Sequence, residues 1–390
     1  MLSRRHFFLG SLAATAFAAK KPADRPSVLL FTIDDLPAWV LGSYGNREVK
    51  TPHLDRLALM GIRFERHTVA SPAPAPGLAT MFTGLTPMQL TGGESVPPSA
   101  ATLDRLLAGA GYTTQTADPA AAIAFLGGQT AAKPFFLHVQ FASLQPPYAN
   151  VPQKYLDLYA TASLDSFGRD PASAHAALGK EMLANRLANQ RKAAAAITAL
   201  DDQVQQVFSQ IAARRLTDNT LVILTSTCGA LLGRHGLWDA GEGSTPANMF
   251  RESVETPLIW VWPGQIPPQI TRPELVNSYD LLPSLCEVLS IQPPSAHLCG
   301  RSYAPLATGK PLPKKQPWPT TTFSRLHETA MARVERYKVV VRDQGKGEGE
   351  LYDLKTDPAE SVNQYENPQF MTIRDQLAAD LAAWQRRYSS

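Results

Sequence analysis

Ser27-Val28-Leu29-Leu30-Phe31-Thr32-Ile33 is a run of mostly branched or apolar residues that ends in Asp34 and Asp35. A strand with one wet face would alternate. A continuous run predicts a strand covered on both faces, the kind found in parallel sheets with helices above and below. Such sheets bind ligands beyond the carboxyl ends of their strands, and the two carboxylates fall there. Adjacent carboxylates repel unless a cation or a proton comes between them. Asp34 and Asp35 are therefore the candidate metal ligands, suited to a hard ion with oxygen ligands.

Local patterns extend this reading along the chain. Thr51-Pro52 opens a helix as N-cap and first residue, with Asp55 in its first turn and Gly61 at its exit. Ser71-Pro72-Ala73-Pro74-Ala75-Pro76-Gly77 reads as extended backbone, followed by an apolar helix from Leu78 to Phe82. A helix follows Thr102, a strand begins at Tyr112, and another covers 134–139. A long helix spans about 189–215, and a strand follows at 221–225. The expected fold is α/β: three layers, α/β/α, around a large, mostly parallel sheet. The last 70 or so residues change character. Tyr337–Val341 and Glu350–Leu354 predict two strands of a small antiparallel sheet around a Gly-rich hairpin at 344–349. An amphipathic helix from about Gln369 to Tyr388 packs on it. The predicted organisation is a leader at 1–18, an α/β domain at 25–312 and a C-terminal subdomain at 318–390.

Ser3-Arg4-Arg5-His6-Phe7-Phe8-Leu9, followed by apolar sequence to Ala16-Phe17-Ala18, has the grammar of a twin-arginine export signal. It predicts a periplasmic or secreted protein. Without Arg4 and Arg5 the 37 basic residues drop to 35 against 34 acidic ones, so the charge balance gives no reason to expect nucleic acid as a partner. No later run is long enough to span a bilayer. Cys228, Cys286 and Cys299 suit an oxidising compartment. Cys286 and Cys299 either bridge or remain buried thiols.

The run RPSVLLFTIDDLPAWVLGSYGNREVKTPHLDRLALMGIRFERHTVASP…TG resembles the N-terminal signature of the sulfatase family, within the alkaline-phosphatase superfamily. The resemblance covers nearly all of the chain after the leader, down to Asp357-Pro358-Ala359-Glu360, and implies the family's fold and its ancestral reaction, sulfate ester hydrolysis. In that family C-x-P-S-R follows, and its Cys or Ser becomes a formylglycine nucleophile. Here Pro74 takes the nucleophile position, Pro76 matches the proline, Gly77 replaces Ser and Leu78 replaces Arg. Asp118-Pro119-Ala120-Ala121 aligns with G-K-W-H, and Gln145 with the histidine that protonates the leaving group. Ser226-Thr227-Cys228-Gly229 aligns with S-D-N-G, the second half of the metal site. Ala240 aligns with the last sulfate-binding Lys. Proline has no nucleophilic atom, and Gln145 transfers no proton near neutral pH. Cys228 is too soft to replace an oxygen ligand of calcium.

These residues imply a pseudo-sulfatase that binds a ligand or partner without turnover. No catalytic residue is assigned, and no cofactor is tightly bound, with calcium held weakly at Asp34 and Asp35. The expected ligand is a sulfated or other carbohydrate, with Tyr148 and Trp238 as aromatic candidates, although core packing also accounts for Trp238. The alternative is an active sulfuric or phosphoric ester hydrolase with a rebuilt site using Ser71, Thr80 or Cys228. Asp201-Asp202 and His235 are read as structural: a solvated or capping pair, and a turn histidine.

Overall fold

The computed structural model describes residues 25–141, 144–294, 297–310, 312 and 317–389. The export signal expected at 1–18 lies outside them. In chain order the elements are β1 (Ser27–Ile33), α1 (Pro52–Met60), β2 (Ile62–Thr68), α2 (Pro74–Thr83), α3 (Leu103–Gly109), β3 (Thr113–Ala117), α4 (Pro119–Gly127) and β4 (Phe135–Phe141). Next come α5 (Gln153–Asp157), α6 (Arg186–Ala213), β5 (Thr220–Ser226), α7 (Arg251–Val254), β6 (Leu258–Val261), β7 (Ile270–Asn277), α8 (Leu281–Val288) and α9 (Ala304–Ala307). The chain ends with β8 (Thr322–Leu326), β9 (Thr329–Arg333), β10 (Tyr337–Arg342), β11 (Glu350–Asp353) and α10 (Met371–Tyr388).

Seven strands form one sheet in the order β3-β4-β1-β5-β6-β2-β7. Only β6 runs against its neighbours β5 and β2. The first strand therefore lies inside the sheet, between β4 and β5, and all its residues are buried. Its alternate residues serve two cores. Leu29, Phe31 and Ile33 pack with residues of α1, α4 and α6; Val28 and Leu30 pack with Met81, Leu103, Leu107 and Leu285 on the other side. This is the predicted three-layer arrangement, and the double burial explains why the strand reads as a continuous apolar run.

Two departures from expectation have clear physical causes. The second helix begins at Pro74 rather than Leu78. Prolines in a first helical turn lose no hydrogen bond that the helix would otherwise make, so the Pro-rich stretch starts the helix instead of preceding it. The C-terminal sheet has four strands in the order β11-β10-β9-β8, not two. Thr322–Leu326 and Thr329–Arg333 were missed because neither has a bulky β-branched run, and His327-Glu328 between them lacks the Gly or Asn that marks a tight hairpin. One face of this small sheet packs on Leu377, Leu381 and Trp384 of α10. The other packs on Val69, Ala73, Met249 and Val254 of the larger unit. Cys228, Cys286 and Cys299 are all free thiols. Among the described residues, no helix is long and apolar enough to cross a membrane.

Candidate functional site

Backbone bonding continues past the ends of three neighbouring strands and fixes the acidic pair. The Asp34 amide donates to Phe141 O at 3.0 Å, and the Thr227 amide to Ile33 O at 3.1 Å. Asp34 is thereby held between the ends of β4 and β5. Asp35 turns away from the strand with φ of 62°, a left-handed conformation that Asp tolerates better than most side chains.

Both carboxylates are buried and face the loop after β5. Thr227 Oγ1 donates to Asp34 Oδ1 at 2.6 Å, and Cys228 Sγ donates to Asp35 Oδ1 at 3.2 Å. Burial raises the Asp34 pKa, with the Thr227 bond opposing it. Burial also pushes Asp35 up to about 7, helped by the negative charges of Asp239 and Asp34 and opposed by the Cys228 bond. The Cys228 thiol is pushed well above its ordinary value by the same burial and by Asp35.

This donor set does not fit the calcium site that the resemblance implies. Calcium takes six to eight oxygens at about 2.3–2.6 Å. Here a hydroxyl and a thiol face the carboxylates as hydrogen-bond donors, and Asp35 Oδ2 alone is buried without a partner. Among the described residues, the one trio of His, Cys, Asp or Glu with converging ligand atoms is His53, Asp201 and Asp202, in another part of the fold. Asp201 already spends both oxygens on the amides of His53 and Leu54, at 3.1 and 2.7 Å. It caps α1 from the long helix α6. Asp202 accepts from Tyr155 Oη at 2.6 Å. The capping reading of the pair therefore holds for Asp201, which is fully buried rather than solvated.

A cavity of about 240 Å³ opens beside Asp35, and Pro74, Gln145 and Ala240 also line it. Three positions aligned from separate segments with the nucleophile, the acid and the last lysine thus meet in space. The sequence reading missed the other charged groups there: Glu181, Asp239 and Glu242. Asp239 sits next to Ala240, so the aligned loop itself carried the signal. Burial raises Asp239 to about 6, with the charges of Glu181 and Glu242 adding to the shift. Among the described residues, no Lys, Arg or His lines this cavity.

The start of α2 borders the same space. A helix N-terminus binds anions through its free amides. In this first turn Pro74 and Pro76 have no N–H, and Gly77 N donates to Ala73 O at 2.9 Å. The remaining candidates are enclosed. Ser71 Oγ is buried without a partner, so no base reaches it. Thr80 Oγ1 donates to Gly77 O at 2.9 Å. Tyr148 and Trp238 are buried, and the indole donates to the phenol at 3.2 Å, so neither offers a stacking face to a sugar. His235 stacks on Phe250 at 3.7 Å and sits 3.4 Å from Glu252, which Arg234 also holds at 2.7 Å.

Comparison with known proteins agrees with this layout. The family model "Sulfatase" matches residues 26–123 and 117–291, and "N-sulphoglucosamine sulphohydrolase, C-terminal" matches 233–387. An ulvan-active sulfatase of Formosa agariphila is 24% identical over 433 aligned positions, covering 93% of this chain and 80% of that protein. A Delta 4,5-hexuronate-2-O-sulfatase of Bacteroides thetaiotaomicron is also 24% identical, covering 91% and 88%. Rat steryl-sulfatase is 38% identical, but only across 25% of this chain and 19% of its own length. The fold matches a phosphonate monoester hydrolase of Agrobacterium radiobacter with a TM-score of 0.78 at 20% identity, covering 93% of this chain and 96% of that one. It also matches a protein solved with its substrate D-glucosamine-2-N,6-O-disulfate, with a TM-score of 0.79 at 18% identity and coverage of 93% and 98%. With both halves of the family pattern matched, and with the acidic pair at the end of an internal strand of the sheet, this chain belongs to the sulfatase family.

Proposed function

We propose that this protein keeps the sulfatase scaffold as a binding protein and does not hydrolyse sulfate esters. One observation carries the reading: the cavity at the strand ends is lined by Asp35, Glu181, Asp239 and Glu242 and, among the described residues, by no cationic side chain. A sulfate ester entering it meets like charge, which costs binding rather than supplying it. The first turn of α2 adds few amides to offset this. Catalysis must remove about 8–23 kcal/mol from a barrier, and among the described residues no nucleophile with an accessible base lies within this space. The ligand is a carbohydrate, the class named for the ulvan-active and glucosamine-disulfate relatives, and a sulfated one would keep its sulfate outside this acidic cavity.

The test is a turnover assay of metal-replete protein on aryl sulfates, phosphate monoesters and phosphate diesters, with a parallel calcium titration. Rates equal to buffer and no sub-micromolar calcium binding are expected. Turnover abolished by Asp34→Ala would refute the reading. A second reading rests on the contact between Cys228 Sγ and Asp35 Oδ1, which pairs a thiol with a carboxylate. The thiol is fully buried and held in its protonated form by its surroundings. Turnover lost specifically in Cys228→Ala would establish this second reading instead.

The protein is also proposed to be exported through its twin-arginine leader. Replacing Arg4 and Arg5 with Lys is expected to retain the full chain in the cytoplasm. Unchanged export of that variant would refute the assignment.

A further inference from the structure

A second cavity, of about 290 Å³, shares no lining residue with the first and lies where the loop after β1, strand β2, helix α7 and strand β9 meet. Its charge is the opposite of the first. Arg63, Arg66, Arg251 and Arg333 line it against Glu65 and Glu255. The guanidinium groups therefore outnumber the carboxylates by two. The arginines come from β2, α7 and β9, so only the folded chain brings them together.

The pairing at this site is incomplete. Glu255 is buried and bridges two of the arginines, with Arg333 Nη2 at 2.8 Å and Arg251 Nη2 at 3.0 Å. Burial raises its pKa, but Arg333 and Arg251 more than offset this and hold it below the ordinary value. Arg66 reaches only Glu335, whose side chain is 78% exposed, at 3.1 Å. Arg63 reaches Glu65 at 3.6 Å, donates to Thr271 Oγ1 at 3.2 Å and lies over the Tyr44 ring at 4.8 Å, so it is held in place without a close carboxylate. Arg333 is 7% exposed, yet its Nη1 has no hydrogen-bond partner. A buried donor without an acceptor is rare in a folded protein and calls for an explanation. Arginine forks match the oxygens of carboxylate, phosphate and sulfate groups. The volume lies near the lower end of small-molecule pockets, about 300 Å³, so it exceeds a bare anion and leaves room for one small ring.

We propose that this arginine pocket binds an oxyanion carried on a small molecule, a sulfate, phosphate or carboxylate group being the shared chemistry that the arginine forks recognise. Arg333 Nη1 and the Arg66 head supply the donors, while Glu255 keeps Arg251 and Arg333 in place. The site does not depend on the absence of turnover at the strand ends, since the two cavities share no lining residue.

The test is calorimetry of the full chain with glucose 6-sulfate, inorganic sulfate, inorganic phosphate and glucuronate, each against chloride at equal ionic strength. Saturable binding of glucose 6-sulfate is expected. Arg66→Gln, at the rim, should weaken it about tenfold, the loss expected for one charge-assisted hydrogen bond. Arg333→Lys, which keeps the charge but not the fork, should do the same. Asp239→Asn, in the other cavity, should leave it unchanged. No saturable binding beyond chloride, or wild-type affinity in both arginine variants, would overturn the site. Saturable binding of phosphate or glucuronate in place of glucose 6-sulfate, lost in the same arginine variants, would support the site and name the oxyanion. An effect confined to Asp239→Asn would move the ligand to the strand ends and overturn the site as well.

Discussion

Replacing Lys338 with Met is expected to cost the fold about 3–5 kcal/mol, the usual effect of removing one partner from a buried ion pair. Lys338 lies on β10 and is 1% exposed. Its Nζ donates to Met249 O at 2.6 Å and to Glu360 Oε2. Glu360 is equally buried and also accepts from the Arg251 amide at 2.9 Å, at the start of α7. The pair therefore joins the small C-terminal sheet to the larger unit and gives the Asp357-Pro358-Ala359-Glu360 segment its physical role. Burial raises the Glu360 pKa despite the attraction of Lys338. Without Lys338 this carboxylate would be enclosed without its nearest cation, with the charge of Glu252 still acting against it. Combining Lys338→Met with Glu360→Gln should recover about half the loss, because Gln still accepts from Arg251 N and leaves no buried charge. Urea unfolding of both single variants and the double variant measures this. A single-variant loss below about 1 kcal/mol would show that the pair is not strongly coupled.

Gly77→Ser is expected to be nearly as damaging, at about 3 kcal/mol, the upper end of the range for overpacking. A Cβ at this position would lie 2.2 Å from Thr227 O and 3.3 Å from Ser71 O. Both are backbone atoms, so no flexible side-chain end can move aside. The consequence is functional as well as energetic. Gly77 aligns with the serine of the family's C-x-P-S-R pattern, and α2 here rests against the loop that carries Thr227. Restoring that serine would push the helix off the loop, so the ancestral sequence cannot be rebuilt at this position alone. Gly109→Ala is the control, because nothing lies within 4 Å of its added Cβ, and in the last turn of α3 it should be neutral or stabilising by up to about 1 kcal/mol. Equal melting temperatures for the serine variant and the parent would disprove the close approach.

Much of the architecture was legible in local patterns. The apolar run at 27–33, the Thr51-Pro52 helix start and the long helix over 186–213 all form where the residues predicted. Each depends on neighbours within one or two turns or one strand, which is the range that periodicity and capping report. The misses have physical causes. Prolines at Pro74 and Pro76 suit both extended backbone and a first helical turn, and the flanking contacts chose the helix. Thr322–Leu326 and Thr329–Arg333 become strands because β10 pairs beside them and buries their inner faces, a reason absent from their own composition. The aromatic candidates failed similarly: Tyr148 and Trp238 satisfy each other inside the core.

Sequence alone determined the family, the layered α/β fold and the position of Asp34 and Asp35 at the end of an internal strand. These follow from residues close together in the chain or from an ordered series of short motifs. Only the tertiary structure decided what those carboxylates meet: donors from Thr227 and Cys228, and the further negative charges of Glu181, Asp239 and Glu242. It alone also brought Arg333 to Arg63 and Arg66. Electrostatic character depends on distance through space and on burial, and residues almost 200 positions apart reveal neither until the chain has folded.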